Sequence, residues 1–299
     1  MGTWSNSKLQ YLNKQAKNRM GRCSCIMYFS TRTIHRLKRI QALLDQLSPD
    51  TEPQALLVPG SPFPHANIIV FPGSFNPPTN AHIALLKQAG LFAQSHKPTY
   101  LYATISKHIV DKEKVEHPTL LDRINLLDTI VHRWLPDTGI ILFNRGLYVE
   151  QAQAIRTSFP RVKRIFFLLG FDKIVQIFDP RYYENRDASL VTLFNLAELL
   201  VAPRGSDGEK ELDMLLHRSE NERFAHYVHS LPFGMQYRNM SSTHIRQGGA
   251  EASLHDVPQE VRQFMRETYA YTPPFQRPDG TVVDYYAERV KEMETLFKS

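Results

Sequence analysis

Cysteine is almost missing from this chain. Its 299 residues hold two, Cys23 and Cys25. A lone C-x-C builds neither a disulfide framework nor, unaided, a tetrahedral zinc site. That usage points to a reducing, intracellular compartment. No run of about 18 apolar residues occurs, which excludes a membrane-spanning helix. Acidic residues are missing from the first 44 positions, which carry nine Lys and Arg: Lys8, Lys14, Lys17, Arg19, Arg22, Arg32, Arg36, Lys38 and Arg39. Taking these nine from the net charge of +6 leaves −3 for residues 45–299. The body is therefore slightly acidic, and its charge gives no support to nucleic-acid binding.

What is present is ordinary for a folded protein: 42% hydrophobic and 22% charged residues. The length allows one large domain or two small ones and a full hydrophobic core. Three readings compete for the basic arm. An acidic-poor segment with Arg, Ser and Thr has the composition of a mitochondrial transit peptide. It also suits a solvated extension ahead of later starts at Met20 or Met27. Against both, Ile34, Leu37, Ile40, Leu44 and Leu47 recur at spacings of three and four, one apolar stripe. The stripe runs beyond a typical cleaved segment, which favours a helix packed on the body from about Thr31 to Leu47.

Prolines 49, 53, 59, 62 and 64 mark a linker. Strands are then predicted at Asn67–Phe71, Thr99–Ile105, Ile140–Asn144, Ile165–Leu169, Leu199–Ala202 and Gly234–Arg238. Helices are predicted at 80–94, Leu120–Trp134 and Tyr148–Ser158. Strands alternating with helices imply parallel pairing, and near-continuous apolar strands imply a sheet covered on both faces. The expected fold is α/β, a Rossmann-like doubly wound parallel sheet with helical N- and C-terminal extensions. Its parts are an arm and linker (1–65), a body (66–271) and a tail (272–299) with a helix from Asp284 to Phe297. Ligands belong outside the C-terminal ends of the strands.

The first strand runs into Gly73-Ser74-Phe75-Asn76-Pro77-Pro78-Thr79-Asn80-Ala81-His82. A Gly turn ends a buried strand, two prolines stiffen the exit, and Thr79 or Asn80 caps a helix whose first turn carries His82. A helix start presents N–H groups and positive potential to an anion, and the imidazole adds a donor. Taken alone, a His at a helix start is more often structural. A second segment, Ser241-Ser242-Thr243-His244-Ile245-Arg246, combines hydroxyls, backbone N–H groups and an Arg one turn later, a cradle for a polyphosphate. Its bland alternative is a capped helix with an exposed Arg.

Together the two segments resemble the G-x-F-x-P-x-[TH]-x-x-H and S-S-T-x-x-R motifs of nucleotidyltransferases, in particular nicotinamide mononucleotide adenylyltransferases. Leu168 to Tyr183 further resembles a segment of the fungal promoter-of-filamentation branch. The resemblance spans about residues 66–270. It implies a doubly wound nucleotide-binding fold and transfer of AMP from ATP to nicotinamide or nicotinate mononucleotide. Pyrophosphate is released and Mg²⁺ is carried by the ATP. His82 and Arg246 would act on the phosphates, with a lysine after the second strand, Lys114 first and Lys112 next, ahead of Lys107. Gly73, Ser74, Phe75, Thr79, Gly170, Asp172, Arg204, Ser241, Ser242 and Thr243 would bind ATP or the mononucleotide. A cytosolic or nuclear protein is implied, with the mitochondrion as the alternative if the arm is a transit peptide. The family's Tyr-Thr pair reads Tyr148-Val149 here, a departure at the acceptor pocket. Two alternatives stand beside this reading: a cytidylyltransferase of the same fold, and a nucleotide-binding regulatory protein with weak ATP hydrolysis.

Overall fold

A computed structural model describes residues 31–107, 117–203, 207–252 and 254–298. The chain divides into two units, 1–36 and 37–299. Of the first, only the opening of helix α1 (Thr31–Gln46) is described. In the second unit the rest of α1 buries Leu37, Ile40 and Leu44, and Leu47 just beyond it. The stripe from Leu37 to Leu47 is thus part of the core, as its spacing requires.

Seven strands form one sheet: β1 (Ala55–Leu57), β2 (Ala66–Pro72), β3 (Thr99–Ser106), β4 (Thr138–Phe143), β5 (Val162–Gly170), β6 (Glu198–Ala202) and β7 (Val228–Ser230). Their order is β1-β4-β3-β2-β5-β6-β7. All neighbours are parallel except β1, which runs antiparallel to β4 with Ala55 opposite Phe143. The chain walks outward from β2 to β4, returns to β5 beside β2, and walks the other way. That reversal defines a doubly wound sheet, and it opens a crevice between the C-terminal ends of β2 and β5. The central strands are buried without alternation, from Ile68 to Phe71 and from Ile165 to Leu169. Such a pattern requires helices on both faces.

Those helices are α2 (Asn80–Ser95), α3 (Leu120–Trp134), α4 (Tyr148–Ser158), α5 (Phe171–Phe178), α6 (Arg186–Leu196) and α7 (Gly208–Leu216). After β7 come α8 (Ser242–Ala252) and α9 (Gln259–Thr268). A two-stranded hairpin, β8 (Phe275–Gln276) with β9 (Val282–Val283), then leads to α10 (Tyr285–Lys298). In α3, Ile124, Leu127, Ile130 and Val131 are buried, and Asp122, Arg123 and Asp128 are buried among them.

Two sequence expectations need correction. The sixth parallel strand is Val228–Ser230, not Gly234–Arg238, where Met235–Tyr237 forms a 3-10 turn. Val228 sits opposite Leu199 in the ladder, whereas the later stretch follows Pro232 and carries Gln236 and Arg238. The proline-rich linker also contains β1, an edge strand too short to show a period. Its pairing continues through Val58, whose N–H donates to Ile140 O at 3.0 Å.

Candidate functional site

The segment leaving β2 turns at Gly73, whose N–H is held by Thr104 O of β3 at 3.0 Å. A methyl group at residue 73 would lie 2.9 Å from two carbons of the Phe75 ring, so only glycine fits. Phe75 itself sits at φ 42°, a left-handed conformation that costs a non-glycine residue about 1–2 kcal/mol. The cost is offset by burial: Phe75 is 0% exposed and packs at 5.1 Å from the His82 ring and 5.6 Å from Phe71.

Thr79 caps α2. Its Oγ1 accepts the His82 N–H at 3.3 Å, and its own N–H donates to His82 Nδ1 at 3.0 Å. Because Nδ1 accepts a backbone proton, the neutral imidazole carries its hydrogen on Nε2. This is a capping box in which histidine fills the place usually taken by Glu or Gln. The helix start therefore spends the His82 N–H internally, and the ring adds the donor.

The crevice holds a cavity of about 190 Å³. Thr79 and His82 line it from the β2 side, and Gly170, Asp172 and Lys173 from the β5 side. Phe233, Tyr237, Arg238 and Met240 close it, and Tyr148 also reaches it. Arg238 donates from Nε to Phe233 O at 3.0 Å and from Nη2 to Glu209 at 3.2 Å. Lys173 Nζ contacts Gln176 Oε1 at 2.8 Å. Burial, aided by Tyr183, pushes the Tyr148 phenol up, so this wall stays neutral. The lining thus sets a histidine donor, a lysine and an arginine shared with Glu209 beside one lining carboxylate, Asp172.

The second predicted segment reaches the first across roughly 165 residues of chain. Ser242 Oγ donates to Pro77 O at 2.7 Å, and Arg246 Nη1 donates to Asn76 O at 2.6 Å. Arg246 Nη2 also meets Thr243 Oγ1 at 3.1 Å, and Ser241 Oγ accepts the His244 N–H. Serine 242 and Arg246 brace the 73–79 loop from behind, while the cavity lining is made by the residues around them. Gly73, Ser74, Phe75, Thr79, His82, Ser241, Ser242, Thr243 and Arg246 are therefore gathered at one end of the sheet, with Gly170 and Asp172 across the cavity. Lys112, Lys114 and Arg204 lie outside the described residues. Lys107 is committed elsewhere: its Nζ donates to Leu44 O and Leu47 O, both at 2.7 Å, and closes the C-terminal end of α1.

Sequence reasoning missed three groups at this site. Arg238 lacked a motif. Tyr271 donates to Asn76 Oδ1 at 2.8 Å, a contact between residues 195 apart. Arg123 Nη1 donates to Ser74 O at 3.2 Å. Here a signal existed, because Arg123 shares the buried face of α3 with Leu127 and Ile130, at i+4 and i+7. An arginine on an apolar stripe needs a partner inside.

What fold and crevice define by themselves is a Rossmann-like doubly wound α/β protein with a cavity at the topological switch point. No family model matches the chain, and no curated protein matches it. No helix among the described residues is long and apolar enough to cross a membrane.

Proposed function

We propose that this protein is a nucleotidyltransferase that joins the AMP moiety of ATP to nicotinamide or nicotinate mononucleotide. The observation that carries the reading is the meeting of the two motif segments. Ser242 and Arg246 bind the carbonyls of Pro77 and Asn76, in the very loop that delivers His82 to the cavity.

The chemistry asks little of the protein in covalent terms. A phosphate oxygen of the mononucleotide, already anionic at neutral pH, attacks the α-phosphorus of ATP. The bond from that phosphorus to the bridging oxygen breaks in line, and pyrophosphate leaves. No general base or covalent nucleophile is needed. Catalysis then rests on alignment and on offsetting the repulsion of two polyanions in a partly dry crevice. His82 Nε2–H supplies a hydrogen-bond donor on the lining, and Lys173 and Arg238, the latter shared with Glu209, supply positive charge. The start of α2 adds its dipole.

Magnesium fits this cavity as a companion of the triphosphate. The lining offers a single carboxylate, Asp172, and among the described residues no cluster of three His, Cys, Asp or Glu side chains could hold a metal. Bound with the triphosphate, Mg²⁺ would neutralise phosphate charge and would take water and phosphate oxygens as its ligands. The protein orients the two substrates.

The test is direct. Purified protein with ATP, Mg²⁺ and either mononucleotide should yield the dinucleotide and pyrophosphate, read by chromatography and mass. Protein that binds ATP but forms no dinucleotide with either acceptor would remove the reading.

A further inference from the structure

Arg123 is the most unusual charge in the molecule. It is 6% exposed, and its one hydrogen bond among the described residues runs to Ser74 O. Its Nε is buried with no hydrogen-bond partner among those residues. The carboxylate next to it in sequence, Asp122, is already taken. Arg289 of α10 grips it at 2.5 and 2.9 Å, and Tyr286 donates to it at 2.6 Å. The groups that act on Arg123 are the phenols of Tyr271 and Tyr286 and a second cation, Arg246. Burial lowers its pKa first and Arg246 adds to that, while the two phenols oppose it. A buried cation beside another cation, with no carboxylate partner among the described residues, is a costly arrangement for a purely structural residue.

Its hydrogen bond has a stereochemical consequence. The Ser74–Phe75 peptide is trans, so its C=O and N–H point in opposite directions. Holding Ser74 O toward α3 turns the Phe75 N–H away from α3. Two later peptide units of the loop end on Pro77 and Pro78 and have no N–H. Their carbonyls are the ones bound by Arg246 and Ser242. Arg123 thus holds the loop at Ser74, and Arg246 and Ser242 hold it at Asn76 and Pro77, just ahead of His82.

We infer that Arg123 is a positioning residue for phosphoryl transfer: through Ser74 O it fixes the turn that seats the Phe75 ring against His82, and so holds His82 in its place on the cavity wall. This rests on the transferase reading above and adds a residue that neither motif contains.

The experiment compares the full-length protein with Arg123→Ala and Arg123→Lys in steady-state dinucleotide synthesis. Thermal unfolding and the affinity for a non-hydrolysable ATP analogue are measured alongside. Loss of alignment should lower kcat for Arg123→Ala by about 100-fold, with the KM for the mononucleotide within about threefold, because a positioning defect falls on the transition state. Arg123→Lys should recover part of the rate. Guanidinium ion at non-denaturing concentration should rescue Arg123→Ala and leave the wild type unchanged. A kcat for Arg123→Ala within threefold of wild type overturns the inference. So does a loss that follows the unfolding midpoint and is untouched by guanidinium. Wild-type protein without turnover removes the transferase reading alone. Arg123 is then judged by the ATP analogue: a tenfold weaker affinity in Arg123→Ala supports its role, and an unchanged affinity overturns it.

Discussion

Replacing Arg289 by methionine should unfold this protein several degrees earlier, even though the residue lies near the end of a tail. Arg289 is 7% exposed and Asp122 is 1% exposed. Their two hydrogen bonds, at 2.5 and 2.9 Å, form a forked pair. Removing the guanidinium leaves a buried carboxylate with the Tyr286 hydroxyl as its charge-stabilising partner. Breaking one side of such a pair costs about 3–5 kcal/mol, mostly the penalty of the stranded charge. At about 2–4 °C per kcal/mol for a chain of this size, the midpoint falls by about 6–20 °C. Adding Asp122→Asn to Arg289→Met should return much of that loss, because an amide can still accept from Tyr286 and no charge remains buried. Differential scanning calorimetry on the four proteins of this cycle measures both terms. A single variant that melts within 2 °C of the wild type, or a double variant no better than the single, would refute the reasoning.

His82→Ala should lower dinucleotide synthesis by about 100-fold or more, since it deletes a donor aimed at developing charge; single-turnover assays read it. Gly73→Ala drives a methyl group into the buried Phe75 ring and should cost about 1–3 kcal/mol, seen in urea unfolding together with lost turnover. Lys107→Met frees the carbonyls of Leu44 and Leu47 and should destabilise by about 1–2 kcal/mol, while leaving the KM for ATP unchanged; a raised KM would return Lys107 to the phosphate site. Burial pushes the phenols of Tyr102, Tyr148, Tyr271 and Tyr286 up. Their contribution to stability is complete below about pH 10, the unfolded value, and is lost as pH rises toward the folded values. Tyrosinate absorbance should therefore appear together with unfolding in an alkaline titration, and ionisation of these phenols well before unfolding would contradict their burial.

The doubly wound sheet was legible because its strands are unbroken apolar runs separated by helical periods. β1 was not, since three residues among prolines carry no period, and β7 is equally short. Its place was claimed by Gly234–Arg238, where Met235 and Tyr237 alternate as in a strand but Tyr237 and Arg238 serve the cavity wall. The candidate site was legible where chemistry is local, as in the Gly73–His82 loop and the Ser241–Arg246 helix start. It was illegible where contacts join distant residues. Nothing near Tyr271 announces Asn76, and nothing near Lys107 announces that the end of α1 would occupy its ammonium group. A lysine is read from sequence as a charge, but its partner is chosen by the fold.

The clamp on Asp122 spans 167 positions. During synthesis the N-terminal side of a chain organises first, so the sheet can assemble well before α10 exists. The opening turn of α3, which carries Arg123, gains its clamp only once α10 has left the ribosome. A message cut short before residue 289 would therefore leave the buried Asp122 carboxylate without its guanidinium partner.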